Sequence, residues 1–398
     1  MNTNTGESDG VRYLEEWSYR LLLATVFAMM FSIALGNVMM ALVIIVATVY
    51  LVLSRQSPPL PPVVLLGAAF VFIAFSVTRF GFVEKHSLGR LIAVLLLPIA
   101  VLHIRSEARI AGFVKAVVFG ALVLSLERCI VVPLSAWKIA SRADAGAGFV
   151  RVLINKGSMT DGQMLMLGIL GSIALIYVSG KNFKRVMWWR IVLLIQVIAL
   201  IINFKRGSWI CACIFASLLV VSKSGWRALF ILLLTVGAVL FLPPVHVRMR
   251  ELSREFNQSG GRLTMWREIA PAIIKQHPFG VGYGSLTNDM MRAHASDVER
   301  DRDHLHSNLP QVLVETGWTG FIVYILWMVT GMTDGWRGFA TARRSGSANS
   351  IVYAAVCPLM FASLLTNGLV EYNFGDTELF IMYITLLGIM ACVRKMFC

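Results

Sequence analysis

The chain has 398 residues, of which 57% are hydrophobic and only 15% are charged, and its mean hydropathy is +0.72. Soluble domains carry about a quarter charged residues, so this composition excludes an ordinary soluble protein and is typical of a polytopic membrane protein. The net charge of +14 has two explanations, anchoring to anionic lipid on the cytoplasmic side or a site for an anionic substrate. The positions of the charges must decide between them.

Apolar runs recur along the chain, and each is about 14 to 20 residues long, enough to cross or nearly cross a bilayer as a helix. The runs lie near residues 20–36, 38–54, 61–78, 91–104, 110–127, 163–180, 191–204, 207–222, 228–243, 317–333, 351–368 and 379–393. The predicted fold class is an all-α polytopic membrane protein with about twelve transmembrane helices and a large, partly helical periplasmic loop. Six cysteines without a CxxC pair indicate neither a disulfide framework nor a zinc ribbon.

The distribution of Lys and Arg predicts that both termini are cytoplasmic. In that orientation the cytoplasmic segments hold sixteen basic residues, against ten in the short loops of the opposite side. The predicted organisation has nine transmembrane helices within residues 1–243, a large outer loop at 244–316 and three further helices within 317–398. At roughly 70 residues the large loop is too long for a plain connection, so we expect it to be functional.

A second outer loop, predicted at 128–162, also retains cations on the side where the topology rule would remove them. Its basic residues are Arg128, Lys138, Arg142, Arg151 and Lys156, against two acidic residues. An anionic ligand is the simplest explanation for basic residues that persist on the outer face.

The segment "INFKRGSWI" places Lys205 and Arg206 in a tight turn between two spans. One interpretation is that these long side chains extend from helix ends to the interface. The other is a phosphate site, because arginine offers planar, bidentate donors and stays charged. Gly207 and Ser208 would then open the next helix, whose free N–H groups favour an anion.

The segment "GGRLTMWRE" begins a predicted helix over residues 262–276, which Pro278 and the following glycines end. Arg262 lies in the first turn, where the helix dipole disfavours a cation, and this is a mild indication of function. The alternative is an ion pair with Glu268 or Glu255 on a solvated face. Arg267 can join either arrangement.

The segment "DHLHSNLPQ" is predicted to start a helix, with Asn308 as the N-cap and Gln311 completing a capping box. His306 would precede this N-terminus, and the positive end of the dipole would keep it a neutral base near pH 7. Two alternatives remain. His306 is only a polar residue before a cap, or His304 and His306 bind a metal ion, although an HxH pair alone is not specific for metal. The further ligands available nearby would be Asp301, Asp303 and His294.

These motifs together resemble the O-antigen ligase and polymerase superfamily of bacterial envelope enzymes. The resemblance is carried by the "KRGSW" turn, by "GRLTMWREIAPAIIKQHPFGVGYG", and by a His-containing segment that leads into "LVETG". It covers about residues 160–330. The register to "LVETG" aligns His306 with the histidine of the family, which usually shows His–Asn where this chain has His306-Ser307-Asn308.

The resemblance implies an inverting, metal-independent glycosyl transfer with no cofactor, at the periplasmic face of a multi-pass protein of the bacterial inner membrane. The implied donor is a glycan on undecaprenyl pyrophosphate, and the acceptor of the ligase branch is a sugar hydroxyl of lipid A–core. Membrane lipids are expected partners and nucleic acids are not.

The same resemblance assigns the residues of the site. It makes His306 the base and lets Arg206 and Arg262 hold the pyrophosphate. The weaker phosphate candidates are Arg267, Arg142, Lys156 and Lys205, and the supporting residues are Asn308 and His304. The alternatives are an O-antigen polymerase, a protein O-oligosaccharyltransferase using the same donor, and a transporter of lipid-linked glycans. A transporter usually carries ionisable residues in mid-span, where only Lys115 lies here.

Overall fold

The computed structural model describes residues 9–80, 89–141, 157–240, 261–295, 298, 303–345 and 347–397. All regular secondary structure within these ranges is helical, which confirms the predicted all-α class. The two weaker cationic candidates Arg142 and Lys156, together with Glu255, lie outside the described residues.

The helices follow the apolar runs closely. In chain order they are α1 (Asp9–Met29), α2 (Ile33–Ser54), α3 (Pro62–Phe80), α4 (Leu91–His103, opening with a 3-10 turn), α5 (Glu107–Leu126), α6 (Val132–Ala140), α7 (Met159–Val178), α8 (Phe183–Ile202), α9 (Arg206–Leu240), α10 (residues 262–276), α11 (Asn288–Arg292), α12 (Asn308–Ser345), α13 (Ala348–Gly368) and α14 (Thr377–Phe397). A π turn at Glu127–Val131 joins α5 to α6, and another at Met265–Ile269 interrupts α10.

Within the described residues, seven helices are long and apolar enough to cross a membrane. They are α2, α3, the joined α5 and α6, α7, α8, α12 and α13, while Leu91–His103, Arg206–Ser222 and Thr377–Val393 are shorter apolar helices. The chain is therefore a multi-pass helical protein. The twelve-span topology and the periplasmic position of the large loop stay predictions.

Two predicted connections are helical. The prediction of separate spans at 207–222 and 228–243 is wrong, because α9 is a single helix of 35 residues. The segment between them contains Gly225 but no proline, so a weak helix former is present without a residue that ends a helix. The predicted loop at 128–162 also begins as helix, since the π turn continues into α6 and Pro133 is tolerated in its first turn.

Antiparallel packing gives the bundle two ends. At one, which we call the far end, the starts of α1 and α5 meet through an ion pair of 3.0 Å between Arg109 and Glu15. At the other, the site end, lie the starts of α7, α9, α12 and α14 and the end of α13. Asn203, which follows α8, holds the start of α7 there by donating to the Ser158 carbonyl at 2.8 Å.

The connection between α13 and α14, residues 369–376, is anchored in the core by an aromatic side chain. We call it the Glu371 loop. The Phe374 ring packs against Tyr324 of α12 at 5.1 Å, Phe70 of α3 at 5.8 Å and Phe380 of α14 at 4.9 Å between centroids. Because Phe374 is fully buried, the polar residues just before it are held in a fixed position at the site end.

The two glycine-containing motifs of the sequence dock on each other. The Val281 N–H donates to the Val314 carbonyl and the Gly282 N–H donates to the Glu315 carbonyl, both at 3.0 Å. Gly317 kinks α12 with φ of +67°, and a side chain there would overlap the Phe279 backbone. Only glycine fits this close approach without strain. The docking fixes α10 beside the first turn of α12.

Candidate functional site

The start of α12 is tied to the Glu371 loop by a buried amide network. The Asn308 Oδ1 accepts from the N–H groups of Asn373 and Phe374 at 3.0 Å, and its Nδ2 donates to Asn373 Oδ1 at 2.7 Å. The prediction of Asn308 as an N-cap is therefore wrong, because the residue is already helical and its side chain satisfies another segment. Asn308 supports the site from within the fold.

Gln311 does not complete the predicted capping box with Asn308 and instead holds the segment before the helix. Its Oε1 accepts from the Leu305 N–H at 2.7 Å, and its Nε2 donates to Glu315 at 2.7 Å. The Leu305 carbonyl accepts from the Trp266 indole of α10, also at 2.7 Å. The short segment that carries His306 is thus held from both sides.

His306 lies between α10 and the Glu371 loop and is only 9% exposed. Its Nδ1 is 3.2 Å from His304 Nε2 and 3.7 Å from Glu371 Oε2. Burial lowers the pKa of His306 below its ordinary value, Glu371 opposes this, and the charges of His304 and Arg262 lower it further. This direction of shift agrees with the neutral imidazole expected from the sequence, and burial is its largest cause.

Arg262 pairs with a residue that sequence reasoning did not consider. Its Nη2 is 2.6 Å from Glu371 Oε1, and its Nη1 donates to the Val370 carbonyl. Both side chains of the pair are 12% exposed, so this is not the solvated pair with Glu268 that we weighed as an alternative. Burial alone would raise the pKa of Glu371, but His306 and the Arg262 guanidinium together lower it below its ordinary value.

Arg206 begins α9, next to the same amide network. It is 7% exposed and therefore does not extend to solvent from its helix end. A side chain at Gly207 would lie 3.3 Å from the Asn367 amide, and one at Gly368 would overlap the Asn308 amide. These two close approaches place the start of α9 and the start of α12 next to the end of α13.

The other predicted residues lie farther from this arrangement. Arg267 is exposed on α10, and Lys205 is half-buried in the turn before α9. His304 is held by Asp303 Oδ1 at 2.9 Å from its Nδ1, and its ring lies 6.0 Å from that of Tyr372. No group of three His, Cys, Asp or Glu residues in the described part of the chain is arranged to bind a metal ion.

The sequence analysis missed the Glu371 loop entirely. Glu371 contacts both Arg262 and His306, Tyr372 donates to Glu315 Oε2 at 3.4 Å, and Arg90 donates to the Gly375 carbonyl. The sequence did contain a signal for this loop, the short "EYNFGD" connection between two apolar runs. It carries a carboxylate and an amide to which no role had been assigned.

The fold and this cluster define a class, which is a multi-pass helical membrane protein with a buried histidine, glutamate and arginine at one end. Residues 191–325 match the family model described as O-antigen ligase, which confirms the resemblance to that superfamily. The matched segment contains Arg206, Arg262 and His306 but not the Glu371 loop. The family is one of membrane glycosyltransferases of the ligase and polymerase type. The chain has no match among curated proteins.

Proposed function

We propose that the protein is an O-antigen ligase that transfers a glycan from undecaprenyl pyrophosphate to a sugar hydroxyl of lipid A–core at the periplasmic face of the inner membrane. The observation that carries the proposal is the buried contact of His306 and Arg262 with one carboxylate, that of Glu371. A base and a phosphate-binding cation so close together suit a reaction in which a hydroxyl is deprotonated as a pyrophosphate leaves.

In the proposed reaction His306 removes the proton of the acceptor hydroxyl as its oxygen attacks the anomeric carbon of the donor. The bond from that carbon to the pyrophosphate oxygen breaks, and the electron pair leaves with the lipid pyrophosphate. A single displacement inverts the configuration at the anomeric carbon. The neutral imidazole favoured by burial is the form that can accept the proton.

Arg206 and Arg262 stabilise the negative charge that develops on the pyrophosphate, in place of a divalent cation. Arginine suits this because its fork of donors matches phosphate oxygens and keeps its charge even when buried. Lys205 and Arg267 are secondary contacts in the proposal, as are Arg142 and Lys156, which lie outside the described residues. Asn308 holds the Glu371 loop, and His304 lies against the ring of the base.

The related activities differ in the acceptor. A polymerase would extend the glycan on its carrier lipid, and a protein O-oligosaccharyltransferase would need a protein hydroxyl. The basic residues of the predicted outer face favour the phosphorylated lipid A–core. The clustering of charged groups at the site end favours an enzyme over a transporter, since transporters place such groups within the spans.

The test is an assay of purified protein with the carrier-linked glycan and lipid A–core. We expect glycan on lipid A–core, and full activity in excess EDTA. Longer glycan on the carrier would mean a polymerase, and movement of the glycan without a new glycosidic bond would mean a transporter. Loss of activity in EDTA that one specific metal restores would contradict the metal-independent mechanism.

A further inference from the structure

Glu371 contacts the base and the arginine with different oxygens. Its Oε1 lies 2.6 Å from Arg262 Nη2, a tight ion pair, while its Oε2 lies 3.7 Å from His306 Nδ1, beyond hydrogen-bond distance. The carboxylate therefore leans toward the arginine. Hydrogen bonds between catalytic groups are often long before substrate is bound and tighten in the productive complex.

The charges around this carboxylate come from several elements. Arg262 faces it from α10 and His306 from the segment before α12, and Asp376 is a neighbouring acid in its own loop. His306 in turn faces Glu371, Arg262 and His304. Arg262 is thus a cation that faces both Glu371 and His306.

We propose that Glu371 is a positioning residue that moves from Arg262 to His306 when the donor pyrophosphate binds. The inference rests on the proposed function, in which Arg262 holds that pyrophosphate. A pyrophosphate competes with the carboxylate for the guanidinium, because the two anions repel each other and the phosphate carries more charge. Glu371 then closes the remaining distance to His306 Nδ1 and replaces His304 Nε2 as the partner of that atom.

The consequence is that binding of the glycan donor brings the carboxylate of Glu371 to the catalytic base. A carboxylate hydrogen-bonded to Nδ1 fixes the orientation of the ring and stabilises the imidazolium that forms during proton transfer. Without donor, Glu371 stays with Arg262, and the nearest group to His306 Nδ1 is His304 Nε2 at 3.2 Å and not the carboxylate at 3.7 Å. Binding of the leaving group at Arg262 is thereby coupled to the basicity of His306 through one side chain, that of Glu371.

The experiment compares Glu371→Gln with the matched control Glu268→Gln, which removes a carboxylate from an exposed position on α10. We expect Glu371→Gln to reduce kcat by about 10- to 100-fold, short of the ~10²–10⁴ range for general acid–base catalysis. KM for the donor should not rise, since Arg262 is still present. Glu371→Asp, which keeps the charge, should recover part of kcat, and Glu268→Gln should behave as wild type.

The pH profiles supply a result that a merely structural role would not give. In the wild type, the acid limb of kcat, which reports the donor-bound protein, should lie at higher pH than that of kcat/KM, which reports the free protein. This separation should shrink in Glu371→Gln, and both limbs should move to lower pH because the imidazolium has lost an anion. Thermal melting of each variant separates these effects from unfolding.

Two results would overturn the inference. One is a folded Glu371→Gln protein with wild-type kcat, and the other is a reduced kcat with pH profiles identical to the wild type. Failure of the proposed function is distinguishable, because the wild type itself would then make no glycosidic bond, or His306→Ala would transfer normally.

Discussion

His306 combines two unfavourable features at the scale of a single residue. Its φ of +51° is left-handed, and its imidazole is buried beside an arginine. Left-handed backbone at a residue other than glycine costs on the order of 1–3 kcal/mol and persists where the surroundings over-determine it. Here the Gln311 and Trp266 side chains hold the adjacent Leu305 backbone. The strain is consistent with a histidine kept in place for chemistry and not for stability.

The pH dependence of the reaction follows from the same burial. Because the pKa of His306 is lowered from 6.5, the imidazole stays neutral as pH falls through the range where an ordinary histidine gains a proton. We expect kcat/KM for the donor to be retained at pH 6.5 and to fall only at lower pH. A profile measured between pH 4.5 and 8 checks this, and an acid limb above 6.5 would contradict the account.

Replacement of Arg262 tests the donor site and the pair at once. Arg262→Gln leaves Glu371 largely buried without its cation, and breaking a buried ion pair costs about 3–5 kcal/mol, with less expected here because 12% of each side chain is exposed. We also expect KM for the donor to rise by at least about 10-fold, as for a lost charge-assisted contact. The matched control is Lys275→Gln, which removes an exposed cation with no assigned role from the same helix, and equal effects in both variants would refute the assignment.

At the scale of elements, the site is assembled by the docking of two glycine-containing segments. The turn after α10 donates two backbone hydrogen bonds to the first turns of α12, at the kink that Gly317 makes. The sequence predicted both α10 and its end at Pro278 from local patterns. It could not predict the docking, which joins residues more than thirty positions apart through backbone groups.

Gly317→Ala should disrupt this docking. A Cβ at φ of +67° is strained and would meet the Phe279 backbone, so we expect a loss of at least about 1–3 kcal/mol together with lowered activity. The matched control is Gly237→Ala in α9, where a Cβ meets nothing within 4 Å and alanine favours the helix. Thermal unfolding in detergent measures both. Equal melting temperatures for the two variants would argue against the docking.

At the scale of the whole molecule, the helices place all the described candidate residues at one end of the bundle. The alternation of apolar runs and turns allowed most of this to be predicted, because span length and hydrophobicity are local properties. The Glu371 loop could not be predicted, since its partner Arg262 lies 109 residues away along the chain. The prediction of two separate spans within α9 was wrong because a glycine without a proline does not end a helix.

The orientation in the membrane is open to a direct test. With the termini in the cytoplasm, a membrane-impermeant maleimide should label Phe279→Cys, an exposed position at the site end, in cells with a permeabilised outer membrane. It should not label Lys181→Cys, in the turn between α7 and α8 at the far end. Labelling of the wild-type cysteines gives the background. The reverse pattern would place the site in the cytoplasm and contradict the proposed donor side.

The most direct test of the central claim is glycan transfer to lipid A–core by purified His306→Ala protein. The account predicts that transfer falls by about 10²–10⁴-fold, the usual contribution of a general base, while folding and insertion are retained. His277→Ala, which removes an exposed histidine at the end of α10, should transfer as the wild type does. Transfer by His306→Ala at the wild-type rate would contradict the account.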